Sequence, residues 1–389
     1  MARAIISKKG AGRLKVGHPW VFASDILAVE GEFAPGDVVT IGDERGHFLG
    51  QGYFNPRSQI ALRFLTPEEE EIGPAFWRRR LAAAWEYRRR FVDTSSCRVV
   101  FAEADFLPAL IVDKFGDYLV LQTLALGIAR WQETLVKLLV EILAPRGIYA
   151  RNDVKVREIE GLPQEKGFLY GQFDPLLAIE EHGLRFWVDV ANGQKTGYFL
   201  DQRENRAALA PLVSGARVLD CFCHTGAFAL HAAHYGAREV LGIDVSPEAV
   251  EMARKNAALN GLTPLCRFEV ANAFDELRAL AQRREKFDVV ILDPPAFTKS
   301  RHAVEGAARG YKEINLRALK LIPPGGFLVT ASCSQHMSPE LFRAVVADAA
   351  ADARRRLRLV EYRTQAKDHP VLLTAPETEY LKFFIFQVF

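Results

Sequence analysis

From Arg217 onward, short apolar runs alternate with helical patterns in a regularity that the first half of the chain lacks. ARVLDCF, EVLGIDV, CRFEVAN, FDVVILD and GGFLVTAS are apolar almost to their last residues, which predicts strands buried on both faces of a parallel sheet. Between them, PEAVEMARKNAALNG spaces its apolar residues as a helix does, with Pro247 near its start and Gly261 at its end. Repeated βα units predict an α/β fold for residues 185–389, a Rossmann-like sheet covered by helices.

The earlier pattern is different. GEFAPGDVVTI and GHFLGQGYFNPRSQIALRFL alternate apolar residues with Gly, Pro and Asn, which predicts a small β-rich domain over residues 1–67. TPEEEEIGP (Thr66–Pro74) reads as a linker. Residues 74–184 read as a central α+β domain. LPALIV and YLVLQTL flank a hairpin turn at Lys114–Asp117, WQETLVKLLVEIL has helical spacing, and IYARND is a candidate strand. EEHGLRFWVDV (Glu180–Val190) reads as a turn and strand leading into the third segment.

Composition narrows the class. With 389 residues, 49% hydrophobic and 25% charged, the chain reads as a folded protein of two or three domains. No uncharged run approaches the 18 residues or so of a membrane span, and MARAIISKKG lacks a secretory apolar core. The five cysteines are odd in number and scattered, as expected of reduced thiols in a cytoplasmic protein. A net charge of +2 does not by itself call for a nucleic-acid partner. Two local clusters do more: Trp77–Phe91 carries six arginines and one glutamate, and Ala353–Leu359 carries four arginines. They suit either phosphate contacts or a solvated helix face.

In an open α/β sheet, ligands bind beyond the carboxyl ends of the strands. Those ends carry Asp220 to Gly226, Asp244, Asn272, Asp293 and Cys333. Asp244 follows Asp220 by 24 positions, a spacing that suits a carboxylate on a ribose diol. A pyrophosphate-binding loop needs several glycines, whereas DCFCHTG has only Gly226. The loop therefore suits an adenosine cofactor without phosphate. Either aspartate alone could be a helix cap; both together in this frame favour the cofactor.

LDCFCHTGAFAL, GIDVSPEAVEMARKNAALNG and LDPPAFTKS resemble the successive motifs of class I methyltransferases. With QKTGYFLDQRENR upstream and TASCSQHMS downstream, the chain resembles the RlmI-like family of bacterial methyltransferases that make 5-methylcytosine in 23S rRNA. GHPWVFASDI, PGDVVTI and GYFNPRSQIALRFL are similar to that family's N-terminal PUA domain, and LPALIVDKFGDYLVLQ to its central segment. The resemblance implies S-adenosylmethionine as cofactor, 23S rRNA as partner and a homodimer. It also implies that Lys195, Thr196, Phe199 and Asp201 cover the cofactor, that Asp220, Phe222, Thr225 and Gly226 line its methionine part, and that Asp244 holds its ribose. Asn272 stands where such enzymes usually carry an acidic residue beside the adenine; its side-chain oxygen can still accept from an amino group.

Carbon 5 of cytosine is a weak nucleophile until a thiolate adds at carbon 6. That chemistry needs a cysteine facing the base and an acid near ring nitrogen 3. Cys333 follows the strand FLVTAS and Asp293 ends the strand VVILD; on neighbouring strands, about 4.8 Å apart, both could reach one base. Asp293 would orient the ring and also face the cofactor. A thiol with a pKa near 8.5 needs help to ionise, and Lys299 and Lys195 are candidates among the cations. Cys221 and Cys223 sit in the cofactor loop and are expected to pack rather than react; with His224 they lack a second ligand pair, so no metal site is expected. Two alternatives remain open. One is methylation of an exocyclic amino group of guanine or adenine, which uses an aromatic directly after (D/N)PP, where this chain has Ala296 before Phe297. The other is RNA binding without catalysis. The N-terminal module is expected to add RNA affinity only.

Overall fold

The computed structural model describes residues 2–298 and 301–389. They form two compact units. One comprises Met1–Ile179, Val188–Leu200 and Lys367–Thr378, the other Glu180–Trp187, Asp201–Ala366 and Glu379–Phe389.

In the first unit, β1 (Arg3–Ile6), β2 (Trp20–Val21), β3 (Ile26–Glu30), β4 (Val38–Asp43), β5 (Phe48–Phe54) and β6 (Leu62–Thr66) make a sheet in the order β2-β6-β5-β4-β1-β3, with helix α1 (Lys8–Lys15) after β1. Helix α2 (Pro74–Phe91) precedes β7 (Ser96–Phe101), β8 (Leu110–Phe115) and β9 (Tyr118–Thr123). Then come α3 (Leu126–Ala129), α4 (Gln132–Leu143), β10 (Gly147–Asn152), α5 (Val156–Ile159) and β11 (Glu165–Tyr170). The second sheet runs β11-β10-β9-β8-β7. The expected hairpin is the β8–β9 pair, where Phe115 faces Tyr118 across a turn whose Gly116 has φ +57°. That left-handed value favours glycine.

The first sheet has its own apolar core, with Ile6, Val21, Val39, Ile41, Phe54 and Leu62, and two of its residues also join the core of the second sheet. Tyr53 and Leu65 lie in the same apolar cluster as Trp77, Leu81, Val100, Leu110 and Leu121. A buried carboxylate ties them further. Glu160 accepts from Asn55 Nδ2 at 2.9 Å, Ser58 Oγ at 2.6 Å and the Leu126 amide at 3.3 Å, with Arg63 Nη2 3.4 Å away. Its charge is thus satisfied on several sides, as a buried carboxylate requires.

The arginine-rich segment is α2, and its charges are largely spoken for. Arg88 is fully buried, donating to Asp105 and, at 2.8 Å, to the Asp368 carbonyl. Arg78, Arg79 and Arg89 meet Glu141, Glu70 and Glu86. This helix is therefore chiefly an ion-paired structural element, which weakens the phosphate reading.

The hairpin β12 (Leu176–Glu181) and β13 (Leu184–Asp189) lies where the chain passes from one unit to the other, and α6 (Arg203–Ala207) follows. The second unit then alternates as its hydrophobic pattern predicts: β14 (Arg217–Cys221), α7 (Ala227–His234), β15 (Glu239–Asp244), α8 (Pro247–Leu259), β16 (Cys266–Val270), α9 (Ala273–Gln282), β17 (Val289–Leu292), α10 (Val304–Leu321), β18 (Phe327–Ser332) and α11 (Pro339–Asp352). Ser246, Asn272 and Ser338 cap α8, α9 and α11 through their side chains, each satisfying an amide that the helix leaves open.

The sheet order is β16-β15-β14-β17-β18-β20-β19, with β19 (Leu357–Arg363) and β20 (Lys382–Val388) antiparallel to their neighbours. These last two strands were not separated out by the sequence pattern; the second arginine cluster runs into β19. Strand order reverses beside β14, between β15 and β17, where α/β sheets of this kind open a crevice at their carboxyl ends. Among the described residues, no helix is long and apolar enough to cross a membrane.

Candidate active site

The loop after β14 is held by its backbone. Phe222 and His224 have φ of +63° and +48°, and Gly226 has +83°. Non-glycine residues adopt such values at a cost and need surrounding bonds to fix them. Those bonds are present: the Cys223 amide donates to the Ile243 carbonyl at 3.0 Å, and Asn256 Nδ2 donates to the Thr225 carbonyl at 3.0 Å. A side chain at Gly226 would stand 3.0 Å from both Ala253 Cβ and Phe268 Cζ. Asp244, at the end of β15, accepts from the His224 amide at 2.9 Å and from the Ser246 amide at 3.0 Å. It therefore shapes the loop as well as presenting a carboxylate.

Asp220 is fully buried at the end of β14. Its Oδ2 accepts from the Ala229 amide at 3.0 Å, while its Oδ1 has no hydrogen-bond partner among the described residues. Burial, then the charge of Asp293 and that of Asp244, push this carboxyl well above the usual carboxylate range, against the Ala229 bond. An unsatisfied acceptor beside two further carboxylates suits a cationic ligand. S-adenosylmethionine, with its ammonium and sulfonium, fits that requirement.

Strands β17 and β18 are parallel neighbours, Leu292 facing Thr330, so Asp293 and Cys333, each the first residue after its strand, leave neighbouring strand ends at the same edge of the sheet. Asp293 Oδ2 accepts from Gln202 Nε2 at 3.0 Å. Gln202 Oε1 accepts from Asn205 Nδ2 at 2.7 Å, and Asn205 Oδ1 accepts from Arg363 Nε at 3.0 Å. The Cys333 thiol points at the Pro294 carbonyl, 3.9 Å away. Beneath it, Ser332 Oγ donates to Tyr311 OH at 2.9 Å, and Tyr311 OH lies 3.0 Å from Ser334 Oγ. Lys382 Nζ donates to the Ser334 carbonyl at 2.7 Å.

The cysteines divide clearly. Cys97, Cys221, Cys223 and Cys266 are buried, and only Cys333 is partly exposed. Burial, followed by the charge of Asp220, pushes Cys221 and Cys223 far up, and Cys266 up to about 12. None of those three can ionise near neutral pH.

Other expected site residues have defined places. Asp201 is buried and accepts from Tyr380 OH at 2.5 Å. Asn272 is exposed and its oxygen accepts from the Phe274 amide at 2.9 Å, leaving one lone pair for an adenine. Lys195, Thr196 and Phe199 belong to the Val188–Leu200 segment of the first unit. Lys195 is exposed with φ +53°, its Nζ 4.6 Å from the Phe199 ring centre. Thr196 is buried, and its hydroxyl donates to Asp113 at 2.6 Å. Lys299 lies outside the described residues. Gln202, Asn205, Tyr311, Ser332 and Lys382 were not singled out from sequence; polar residues next to a predicted strand end were the one available signal, and only for Ser332.

Residues 4–67 match the family of PUA-like domains, and residues 166–383 match the S-adenosylmethionine-dependent methyltransferase family. The ribosomal RNA large subunit methyltransferase I of Tolumonas auensis is 43% identical over 372 residues, 94% of either chain. That of Citrobacter koseri is 41% identical over 392 residues, 99% of either chain. Among solved structures, one described as a SAM-dependent methyltransferase from Streptococcus mutans has a TM-score of 0.85 at 19% identity, covering 99% of this chain and 100% of that one. A methyltransferase structure complexed with SAH has a TM-score of 0.86, also at 19% identity, with the same coverage. At that identity the likeness is one of fold.

Proposed function

We propose, on the ground that this chain belongs to the S-adenosylmethionine-dependent methyltransferase family, that it methylates carbon 5 of a cytosine in large-subunit (23S) ribosomal RNA through a covalent adduct of Cys333. Ribosomal RNA as substrate is supported by the names of relatives that span nearly the whole chain and by the PUA-like match at residues 4–67. The observation that carries the cytosine reading is Cys333: of five cysteines it alone is partly exposed, and it follows β18, the parallel neighbour of the strand that Asp293 follows.

The cofactor supplies an electrophilic methyl group when bound. Asp220 Oδ1 would accept from its ammonium, Asp244 from its ribose hydroxyls and Asn272 from its adenine amine, with Phe222, Thr225 and Gly226 forming the loop wall. The family resemblance adds Lys195, Thr196, Phe199 and Asp201 to its contacts. Cys333 Sγ, as thiolate, bonds to carbon 6 of the cytosine, and the electron pair of the 5,6 double bond shifts toward carbon 5. Asp293, held by Gln202, stabilises the protonated ring at nitrogen 3. After carbon 5 is methylated its proton passes to water, the C5–H electron pair re-forms the 5,6 double bond, and the C6–S bond breaks to release the thiolate. The amino-group alternative needs an aromatic over the base. Phe297 instead packs 4.6 Å from Tyr311 and 5.9 Å from Phe274.

RNA with 5-fluorocytidine at the target position tests this. Fluorine cannot leave as a cation, so the adduct should accumulate, require S-adenosylmethionine and map to Cys333. An active Cys333→Ser enzyme, or a product methylated on an exocyclic nitrogen, would overturn the covalent mechanism.

A further inference from the structure

Lys382 is 2% exposed. A buried ammonium is costly unless an anion or several acceptors compensate it. Among the described residues no carboxylate lies within ion-pair distance of it. Its Nζ donates instead to two backbone carbonyls, Ser334 at 2.7 Å and Tyr380 at 2.8 Å. An ammonium has three N–H donors, so one remains.

The position follows from the sheet. In the antiparallel β18–β20 pair, Lys382 faces Ser332, and its ammonium reaches the carbonyl of Ser334. Cys333 is the residue between these two anchor points. We propose that Lys382 is a positioning residue that keeps Cys333 ionised, an inference that rests on the reading of Cys333 as the nucleophile. The thiol proton passes to water, Lys382 stays protonated, and no electrons are exchanged.

The other ionisable groups around this corner do not compete for the role. Tyr311, from α10, is pushed up by burial and stays neutral. The carboxyl groups of Asp293, at the end of β17, and Glu379, just before β20, can only disfavour a nearby thiolate. Lys382 itself is drawn down to about 8, first by burial, with Cys333 and then Glu379 acting in the opposite sense. It therefore remains mostly charged at neutral pH, and the charge effect between thiolate and ammonium is mutual.

The test is the pH profile of Cys333 alkylation by iodoacetamide in the full-length protein without RNA, with mass spectrometry assigning the label. In the wild type the midpoint should fall below the 8.5 or so of a free thiol. Lys382→Met should raise it by about one pH unit. The rate at pH 7 should then drop about threefold, because the smaller thiolate fraction is partly offset by greater nucleophilicity. Lys382→Arg should keep a wild-type midpoint. A wild-type midpoint at or above 8.5, or an unchanged midpoint in folded Lys382→Met, overturns the proposal. The wild-type profile decides the matter even if the methionine variant does not fold. The two readings separate cleanly. Trapping at Cys333 with an unmoved midpoint sinks only the role of Lys382. A Lys382-dependent midpoint in a protein whose Cys333→Ser variant still methylates RNA sinks only the covalent mechanism.

Discussion

Asp220→Asn separates the two parts that Asp220 plays. In the folded protein one carboxylate oxygen holds the Ala229 amide and the other has no partner among the described residues. Asparagine can keep the first bond through its oxygen, but it turns an NH2 toward the place where the cofactor's ammonium is expected. The variant also replaces a buried carboxyl whose charged form burial, Asp293 and Asp244 disfavour, so it should be at least as stable as the wild type. Cofactor affinity should fall by the worth of one charge-assisted hydrogen bond, about 1.5–3 kcal/mol. That is roughly ten- to hundredfold in Kd. Calorimetry with S-adenosylhomocysteine measures it directly. The pH dependence gives a second readout. Burial, Asp293 and Asp244 favour the protonated carboxyl in the absence of ligand, whereas a bound ammonium favours the carboxylate. Wild-type affinity should therefore weaken as pH falls through the raised titration range, and the asparagine variant should lack that slope. Equal affinity and equal slope in both proteins would refute this placement of the ammonium.

Asp244→Ala should cost about 1.5–3 kcal/mol of cofactor affinity and, unlike Asp220→Asn, should also lower the melting temperature, since the His224 and Ser246 amides lose their acceptor; an unchanged Kd in calorimetry would remove Asp244 from the site. Gly226→Ala should destabilise the second unit by about 1–2 kcal/mol from its left-handed backbone alone, with further loss from the contacts at Ala253 and Phe268, as urea unfolding would measure. His231 is fully buried, and burial draws it down to about 4 from 6.5 despite Glu181 nearby. The unfolded chain takes up that proton first, so stability should fall as pH drops from about 6.5 to about 4, by roughly 3 kcal/mol; urea titrations at stepped pH should show this slope flattened in His231→Gln.

The parallel strands were legible because a strand buried on both faces leaves a short, nearly continuous apolar run, here repeated between helical patterns. Asp220, Asp244, Asp293 and Cys333 were legible for a derivative reason: each is a polar or reactive residue at the end of such a run. What supports them was hidden. Gln202 reaches Asp293 across 91 residues and Lys382 reaches Ser334 across 48, and no local pattern encodes a partner at that distance. LRLVEYR is too exposed and too charged to read as a strand, and becomes one by pairing with the buried β20. The ion pairs of the α2 arginines were hidden for a similar reason. A run of positive charge looks available until Glu70, Asp105 and Glu141, distant in sequence, are brought to it.

Glu160 makes the N-terminal PUA-like module hard to exchange. Asn55, Ser58 and Arg63 all come from the N-terminal sheet region, and they compensate a charge that belongs to the part downstream. Cutting away Met1–Leu65 would strand that carboxylate and open the cluster that Tyr53 and Leu65 help to close. A chimera carrying a foreign RNA-binding module would inherit the same defect unless the graft also replaced Glu160 with a neutral residue. Loss of methylation in a truncated enzyme would therefore report misfolding before it reported anything about RNA. Whether the module takes part in recognition has to be read from substitutions on its solvent-facing side, with the contacts of Glu160 left intact.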